Sequence, residues 1–312
     1  MAKSSILCVG HAVEDHVFTV PATPTAPQKY AAHGFSVVGG GPAANAAVAA
    51  ARLGGVVRLA ARVGKDAVGA SIIADLEAEG VDCNYVRRIP GAVSSVSAVM
   101  IADDGERMIV NYRDPDLPAD AAWTAEALDA DIGAVLADSR WPEGAAIAME
   151  AARQRGAPGV LDADRPFPRD DAAMQTALNA ASHVAFSADG LRDFVGDDGA
   201  DLQDALSGAV DRLGGFVCVT DGAAGVLAAD DGRLRSVPGF RVAAVDTLGA
   251  GDVWHGAFAL ALAEGSDAIN AARFANAAAA LKCTRPGGRA GAPARAEVDA
   301  YLSQTQELEA SF

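Results

Sequence analysis

The stretch Val245-Asp246-Thr247-Leu248-Gly249-Ala250-Gly251-Asp252 runs directly into Val253-Trp254-His255-Gly256-Ala257-Phe258-Ala259-Leu260, an apolar segment with helical spacing. Small residues at a helix start leave main-chain N–H groups free to face an anion, and the helix dipole adds to that attraction. Asp252 falls at the opening of the helix, sited to act as a base. An anion cradle beside a base needs a sheet-and-helix framework to hold it, and the rest of the chain supplies one.

Outward from this stretch, apolar strand-like runs alternate with helix-like segments. Ser5-Ile6-Leu7-Cys8-Val9-Gly10 reads as a buried first strand, and further strands are predicted at 56–63, 134–137, 159–162, 184–186 and 216–220. Helices are predicted at 46–54, around 71–79 and over the alanine-rich 268–282. This alternation predicts an α/β fold with a mostly parallel, doubly wound sheet. Residues 18–38, with Pro21, Pro24 and Pro27, do not resemble a crossover helix. The β-rich runs 94–101 and 107–112 flank Asp103-Asp104-Gly105-Glu106 as a hairpin. Segments of about 12–38 and 94–116 therefore predict a small β-sheet lid on a single domain spanning 1–312.

Ligands of open α/β sheets bind beyond the carboxyl ends of the strands. Asp15 follows the first strand, where it either holds a hydroxyl-rich ligand or caps a turn. Asp138, Arg140, Asp162 and Asp164 follow later strands; Arg140 faces a ligand or pairs with a neighbouring aspartate. Gly39-Gly40-Gly41-Pro42-Ala43-Ala44-Asn45 opens a helix, so Gly41 admits close approach to the backbone and Asn45 projects from the first turn. Its spacing is neither GxGxxG nor the GK[ST] of a P-loop. Thr220-Asp221-Gly222-Ala223-Ala224-Gly225 is a second glycine turn. Lys29 is a solvated lysine unless partners reach it from elsewhere, and Asn111 is either a polar strand end or a ligand contact.

Composition narrows the function classes. With 312 residues, 51% hydrophobic and 21% charged, the chain is long and apolar enough for a large core. A net charge of −16 argues against nucleic acid or an anionic membrane surface as partner. Cys8, Cys83, Cys218 and Cys283 form no metal pattern and read as reduced core thiols. No signal peptide or run of about 18 apolar residues is evident, so a soluble cytoplasmic protein is expected.

Taken together these motifs resemble the PfkB, or ribokinase-like, carbohydrate kinase family from end to end. The carriers are Gly39–Asn45, Gly64 to Gly69, Thr220-Asp221-Gly222, Asp246 to Leu260 and the helix before Thr284-Arg285. The resemblance implies a ribokinase-like, Rossmann-like core with a small β lid, and ATP as phosphoryl donor. It implies Asp252 as general base and Gly249, Ala250 and Gly251 as the anion hole. It also implies Thr220, Gly222, Gly225 and Asn276 on the nucleotide side, and Asp15, Gly41 and Asn45 on the sugar side. Mg²⁺ would be held mainly by ATP phosphates and water. The family's NxxE stands here as Ser187-Ala188-Asp189-Gly190, so no metal ligand is assigned. The resemblance allows a monovalent cation near Asp246 and the Lys282–Gly291 loop, and a homodimer paired through the lids.

A narrower resemblance is to the sulfofructose kinase subgroup. It rests on residues 37–44, on Gly105-Glu106-Arg107 with Asn111-Tyr112, on Leu136-Ala137-Asp138 with Arg140-Trp141, and on residues 281–291. It implies phosphorylation of 6-deoxy-6-sulfofructose at the C1 hydroxyl. A sulfonate offers three acceptor oxygens, and Lys29, Asn111 and Arg140 are expected to converge on it. The alternatives are a kinase for fructose, fructose 6-phosphate or a related sugar, and a noncatalytic sugar or nucleotide sensor.

Overall fold

The computed structural model describes residues 4–128, 131–164, 166–230 and 232–309. Its strands are β1 (Ser5–Gly10), β2 (Val13–Val20), β3 (Gly34–Gly40), β4 (Val56–Gly64), β5 (Asp82–Ile89), β6 (Val96–Ala102), β7 (Arg107–Tyr112), β8 (Ile132–Asp138), β9 (Gly159–Ala163), β10 (His183–Ser187), β11 (Phe216–Thr220), β12 (Gly225–Asp230) and β13 (Arg233–Pro238). The helices are α1 (Pro42–Arg52), α2 (Ala67–Ala78), α3 (Pro142–Arg155), α4 (Ala172–Ala180), α5 (Ala188–Val195), α6 (Leu202–Val210), α7 (Ala250–Ala263), α8 (Ala268–Cys283) and α9 (Arg295–Glu309).

The large sheet runs β13-β12-β11-β10-β9-β8-β1-β4-β5. The strands from β11 to β5 pair in parallel, and β12 with β13 closes one edge as an antiparallel hairpin. In β1 the apolar residues alternate between two cores: Ile6 and Cys8 pack with α1, α7 and α8, while Leu7 and Val9 pack with α3 to α6. Both faces of the strand are thus buried, which is why it reads as one unbroken apolar run. Chain order reverses between β1 and β8, and that reversal opens a crevice at their carboxyl ends.

Small residues let α1 and α7 approach closely. A Cβ on Gly256 of α7 would collide with the Ala46 carbonyl of α1, so only glycine suits the crossing. The start of α7, which carries Asp252, is thereby pressed against the start of α1, which carries Asn45.

The second sheet has the order β3-β2-β6-β7. Val38, Asp15, Ser97 and Asn111 pair across it in one row and so share a face. Ser36, Val17, Val99 and Ile109 form the next row on that face, and Thr19, Ile101 and Arg107 follow.

Two boundaries differ from the sequence expectation. Gly39 and Gly40 belong to β3 rather than to a loop because they pair with Glu14 and Val13 of β2, and they are glycine because the Arg289 guanidinium lies against Gly39 and the Asp15 carboxyl against Gly40. Only Gly41 is the helix cap, at φ 95°. Helix α2 begins at Ala67 rather than near 71 because Asp66 caps it, accepting from the Gly69 N–H at 2.7 Å. All four cysteines are unbridged; Cys8, Cys83 and Cys218 are buried, whereas Cys283 is only half-buried. Among the described residues no helix is long and apolar enough to cross a membrane.

Candidate active site

Gly249 adopts a left-handed conformation, φ 75°, and turns the chain into α7 so that Ala250, Gly251 and Asp252 form its first turn. Asp252 is half-buried, and its Oδ2 accepts a 2.7 Å hydrogen bond from Asn45 Nδ2. A Cβ built on Gly249 would lie 3.8 Å from both of those atoms, so cradle, acid and amide form one cluster. Burial first, and then the charge of Asp162, push the Asp252 carboxyl up to about 7; the Asn45 amide works the other way.

His255 lies one turn along the same helix. Its Nδ1 is 2.8 Å from the Gly251 carbonyl, and its Nε2 is 3.5 Å from Asp162 Oδ1. Burial lowers the imidazole pKa, while burial and the charges of Asp164 and Asp138 raise that of Asp162 well above the ordinary carboxyl value. Asp162 Oδ1 is buried without a hydrogen-bond partner. Burial is thus the largest influence on all three groups and opposes charge on each of them.

A cavity of about 700 Å³ joins Thr220, Gly222 and Gly225 at the end of β11 to Ala250, Gly251, Trp254 and Asn276. It brings the sequence-predicted nucleotide residues into one wall. Asn276 Oδ1 accepts from Trp254 Nε1 at 2.8 Å, and its Nδ2 donates to the Val237 and Pro238 carbonyls at 3.0 Å each. The amide is therefore spent on shaping the wall.

On the other side of Asp252, Asp138 ties the crevice together. Its Oδ2 accepts from the His11 and Ala43 N–H groups at 2.8 and 3.0 Å, and its Oδ1 from the Arg140 N–H at 2.9 Å. Gly41 packs its bare Cα beside the His11 carbonyl. Asp15 is half-buried, with its carboxyl raised by burial and opposed by a hydrogen bond from Ser97. Asn111 Nδ2 donates to the same Ser97 hydroxyl at 2.9 Å.

Arg140 pairs with Asp164 at 3.2 Å and lines a cavity of about 460 Å³ with Arg62 and Arg113. Arg113 donates to the Arg140 carbonyl, and Arg62 lies over the Trp141 ring at 4.1 Å. Burial, together with Arg113, Arg140 and Arg62, pulls the His11 pKa down to about 3.

The whole chain can be compared with known proteins. The family model for the pfkB family carbohydrate kinases matches residues 3–295. The chain belongs to that family. The kinase is 31% identical to a Bacillus subtilis ribokinase over 304 residues, covering 96% of this chain and 99% of the relative. Among solved structures, an Agrobacterium tumefaciens protein described as a ribokinase candidate aligns at TM-score 0.89 and 36% identity, over 98% of this chain and 99% of that one. An Arabidopsis thaliana ribokinase complexed with ribose and ATP aligns at TM-score 0.82 and 25% identity, over 96% and 99%. This kinase is an ATP-dependent sugar kinase with a ribokinase-like fold.

Within the kinase the sugar-side residues divide. Asn45, Gly41 and Asp252 form one cluster, and Asp15 with Asn111 forms another through Ser97. Lys29 is exposed in the segment before β3, and none of the described contacts joins Lys29, Asn111 and Arg140 to one another. Asp189, standing where the family has NxxE, pairs with Arg192 at 3.3 Å. Among the described residues no group of three His, Cys, Asp or Glu side chains is arranged to hold a metal ion.

Sequence reasoning named neither Arg62 nor Arg113, and quoted Arg107 only within a resemblance motif, without a role in the site. Arg62 and Arg113 sit at the ends of β4 and β7, strands that the pattern did locate, so strand-end position was the signal. Arg107, in the second sheet, donates to Thr247 Oγ1 at 3.1 Å and lines both the 700 Å³ cavity and a 520 Å³ cavity beneath that sheet.

Proposed function

We propose that the kinase transfers the γ-phosphoryl group of ATP to the C1 hydroxyl of an anionic ketose, 6-deoxy-6-sulfofructose, giving its 1-phosphate in sulfoquinovose breakdown. The observation that carries this reading is the grouping of Arg62, Arg113 and Arg140 around one cavity, beside the carboxyls of Asp114, Glu143 and Asp171, in a chain of net charge −16. Planar guanidinium forks suit the three acceptor oxygens of a sulfonate. In this reading Arg140 grips the sulfonate, Asn111 contacts it from the second sheet, and Lys29 reaches it when its segment folds over bound sugar.

Asp252 then takes the proton of the C1 hydroxyl while that oxygen forms its bond to the γ-phosphorus. The bond from the γ-phosphorus to the β–γ bridging oxygen breaks, and ADP leaves with that oxygen. The N–H groups of Gly249, Ala250 and Gly251 face the charge gathering on the transferred group, a role that needs preorganised dipoles more than covalent chemistry. Thr220, Gly222 and Gly225 hold the nucleotide, with Asn276 behind them. Asp15 and Asn45 orient the sugar. A Mg²⁺ carried in on ATP would be held mainly by the phosphates and water. Bound there, the ion would neutralise phosphate charge. The second sheet, acting as a lid, excludes water.

Its opposite face is the proposed homodimer surface: Phe35 and Val110 are each 60% exposed there, beside the partly exposed Val37 and Tyr112.

A neutral ketose is the second reading, favoured by the Asp164 carboxylate already paired with Arg140 and by fructokinases among the relatives. A substrate panel with ATP and Mg²⁺ separates the two. Sulfofructose should exceed fructose 6-phosphate, fructose and ribose in kcat/KM by about tenfold or more, and Arg140→Ala should erase that margin while sparing ATP affinity. A preference for fructose or ribose would overturn the sulfonate assignment.

A further inference from the structure

Lys282 is the anomaly of the buried core. It lies at the end of α8, its side chain has no exposed surface, and lysine is almost never buried without a dedicated partner. Its Nζ donates to the main-chain carbonyl of Asp246 at 2.7 Å and stands 3.2 Å from the same residue's carboxylate Oδ2. One residue thus offers the ammonium both a backbone and a side-chain oxygen.

Asp246 in turn organises two loops. Its Oδ1 accepts from the Leu248 N–H at 2.8 Å, and its Oδ2 from the Gly287 and Gly288 N–H groups at 3.0 Å each. The Val245 and Asp246 N–H groups donate to the carbonyl of Cys283, the neighbour of Lys282, at 2.7 and 3.1 Å. The segment entering the Gly249–Gly251 turn is therefore laced to the end of α8 and to residues 287–288, with the buried Lys282 ammonium at the knot and Arg107 on the Thr247 hydroxyl beside it.

That arrangement does not fit a monovalent cation taken up from solution beside Asp246. An incoming potassium ion would meet an ammonium of equal charge already on the Asp246 oxygens, and Oδ2 already faces that ammonium and two N–H groups.

We propose that the Lys282 ammonium is a tethered monovalent cation: it holds Asp246 and the anion-cradling turn in working geometry, so the kinase needs no potassium or ammonium ion from the medium. This rests on the reading of Gly249–Gly251 as the anion hole. Lys282 is a positioning residue, because its contacts are with Asp246. Its position explains why a long cationic side chain is wholly enclosed so near a site that must receive a polyanion. The charge sets the loop, and burial keeps it from competing for the phosphates.

The wild-type kinase should run at the same kcat within about twofold when potassium, sodium or choline is the sole monovalent cation at constant ionic strength, whereas a tenfold loss would correspond to about 1.4 kcal/mol of missing support. A tenfold or greater loss in choline would overturn the proposal, whatever happens to any variant. Lys282→Met opens an ammonium-sized vacancy. It should lose about tenfold or more in choline, recover most of that in potassium or ammonium, and show a Tm that rises with potassium while the wild-type Tm does not. A folded variant whose loss is the same in every cation would show that Lys282 merely packs, and would also overturn it. The anion-hole reading is judged separately: an Asp252→Asn protein with normal turnover would remove it without altering any of these cation comparisons.

Discussion

Asp252 shows how one carboxylate can be set for proton transfer. Burial and Asp162 push its pKa up to about 7, and the Asn45 amide restrains that rise because it hydrogen-bonds the charged form. A base must be ionised to work, and a raised pKa means the working form is lost as pH falls through about 7. The expected kcat/KM for the sugar therefore rises with pH up to about 7 and is level above it. Asn45→Ala removes the favourable hydrogen bond, so its rising limb should lie at higher pH than the wild-type limb. A limb near the ordinary carboxyl value, or one unmoved by the Asn45 change, would dissociate Asp252 from the profile.

At the scale of elements, the crossing of α1 and α7 delivers the two halves of that pair. Gly256→Ala would drive a methyl group into the Ala46 carbonyl, two backbones with little room to separate. A loss of about 1–3 kcal/mol is expected from such overpacking, with reduced turnover because Asn45 and Asp252 part. Denaturant unfolding beside kcat measures both; unchanged values would mean that the helices accommodate the methyl group. The elements themselves were largely legible. Both cores impose apolar runs on β1 and its parallel neighbours, and the Gly249–Asp252 turn carries its chemistry in adjacent residues. What stayed hidden comes from distant chain segments meeting. Gly39 and Gly40 look like loop glycines until Arg289 and Asp15 are seen lying against them. Arg62, Arg113 and Arg140 come from three strand ends far apart in sequence, and a lysine such as Lys282 looks like a surface residue until the fold encloses it.

At the scale of the molecule, the second sheet has two unlike faces. Asp15, Ser97, Asn111 and Arg107 share one, with Arg107 reaching the Thr247 hydroxyl; Phe35, Val37, Val110 and Tyr112 share the other. An apolar outer face invites a symmetric partner, and pairing there would steady the side proposed to close over the sugar. Sedimentation should give a dimer, and Val110→Lys should shift it towards monomer with KM for the sugar raised; a wild-type monomer at micromolar concentration would remove this part of the account.

All three scales meet in the claim that Asp252 takes the proton of the sugar hydroxyl. The most direct measurement is turnover of Asp252→Asn with ATP binding followed in parallel, using Trp254 in the proposed nucleotide cavity as the fluorescent reporter. The account predicts ATP affinity near wild type and a loss of about 10²–10⁴ in kcat. A variant that binds ATP and still turns over within tenfold of wild type would contradict it.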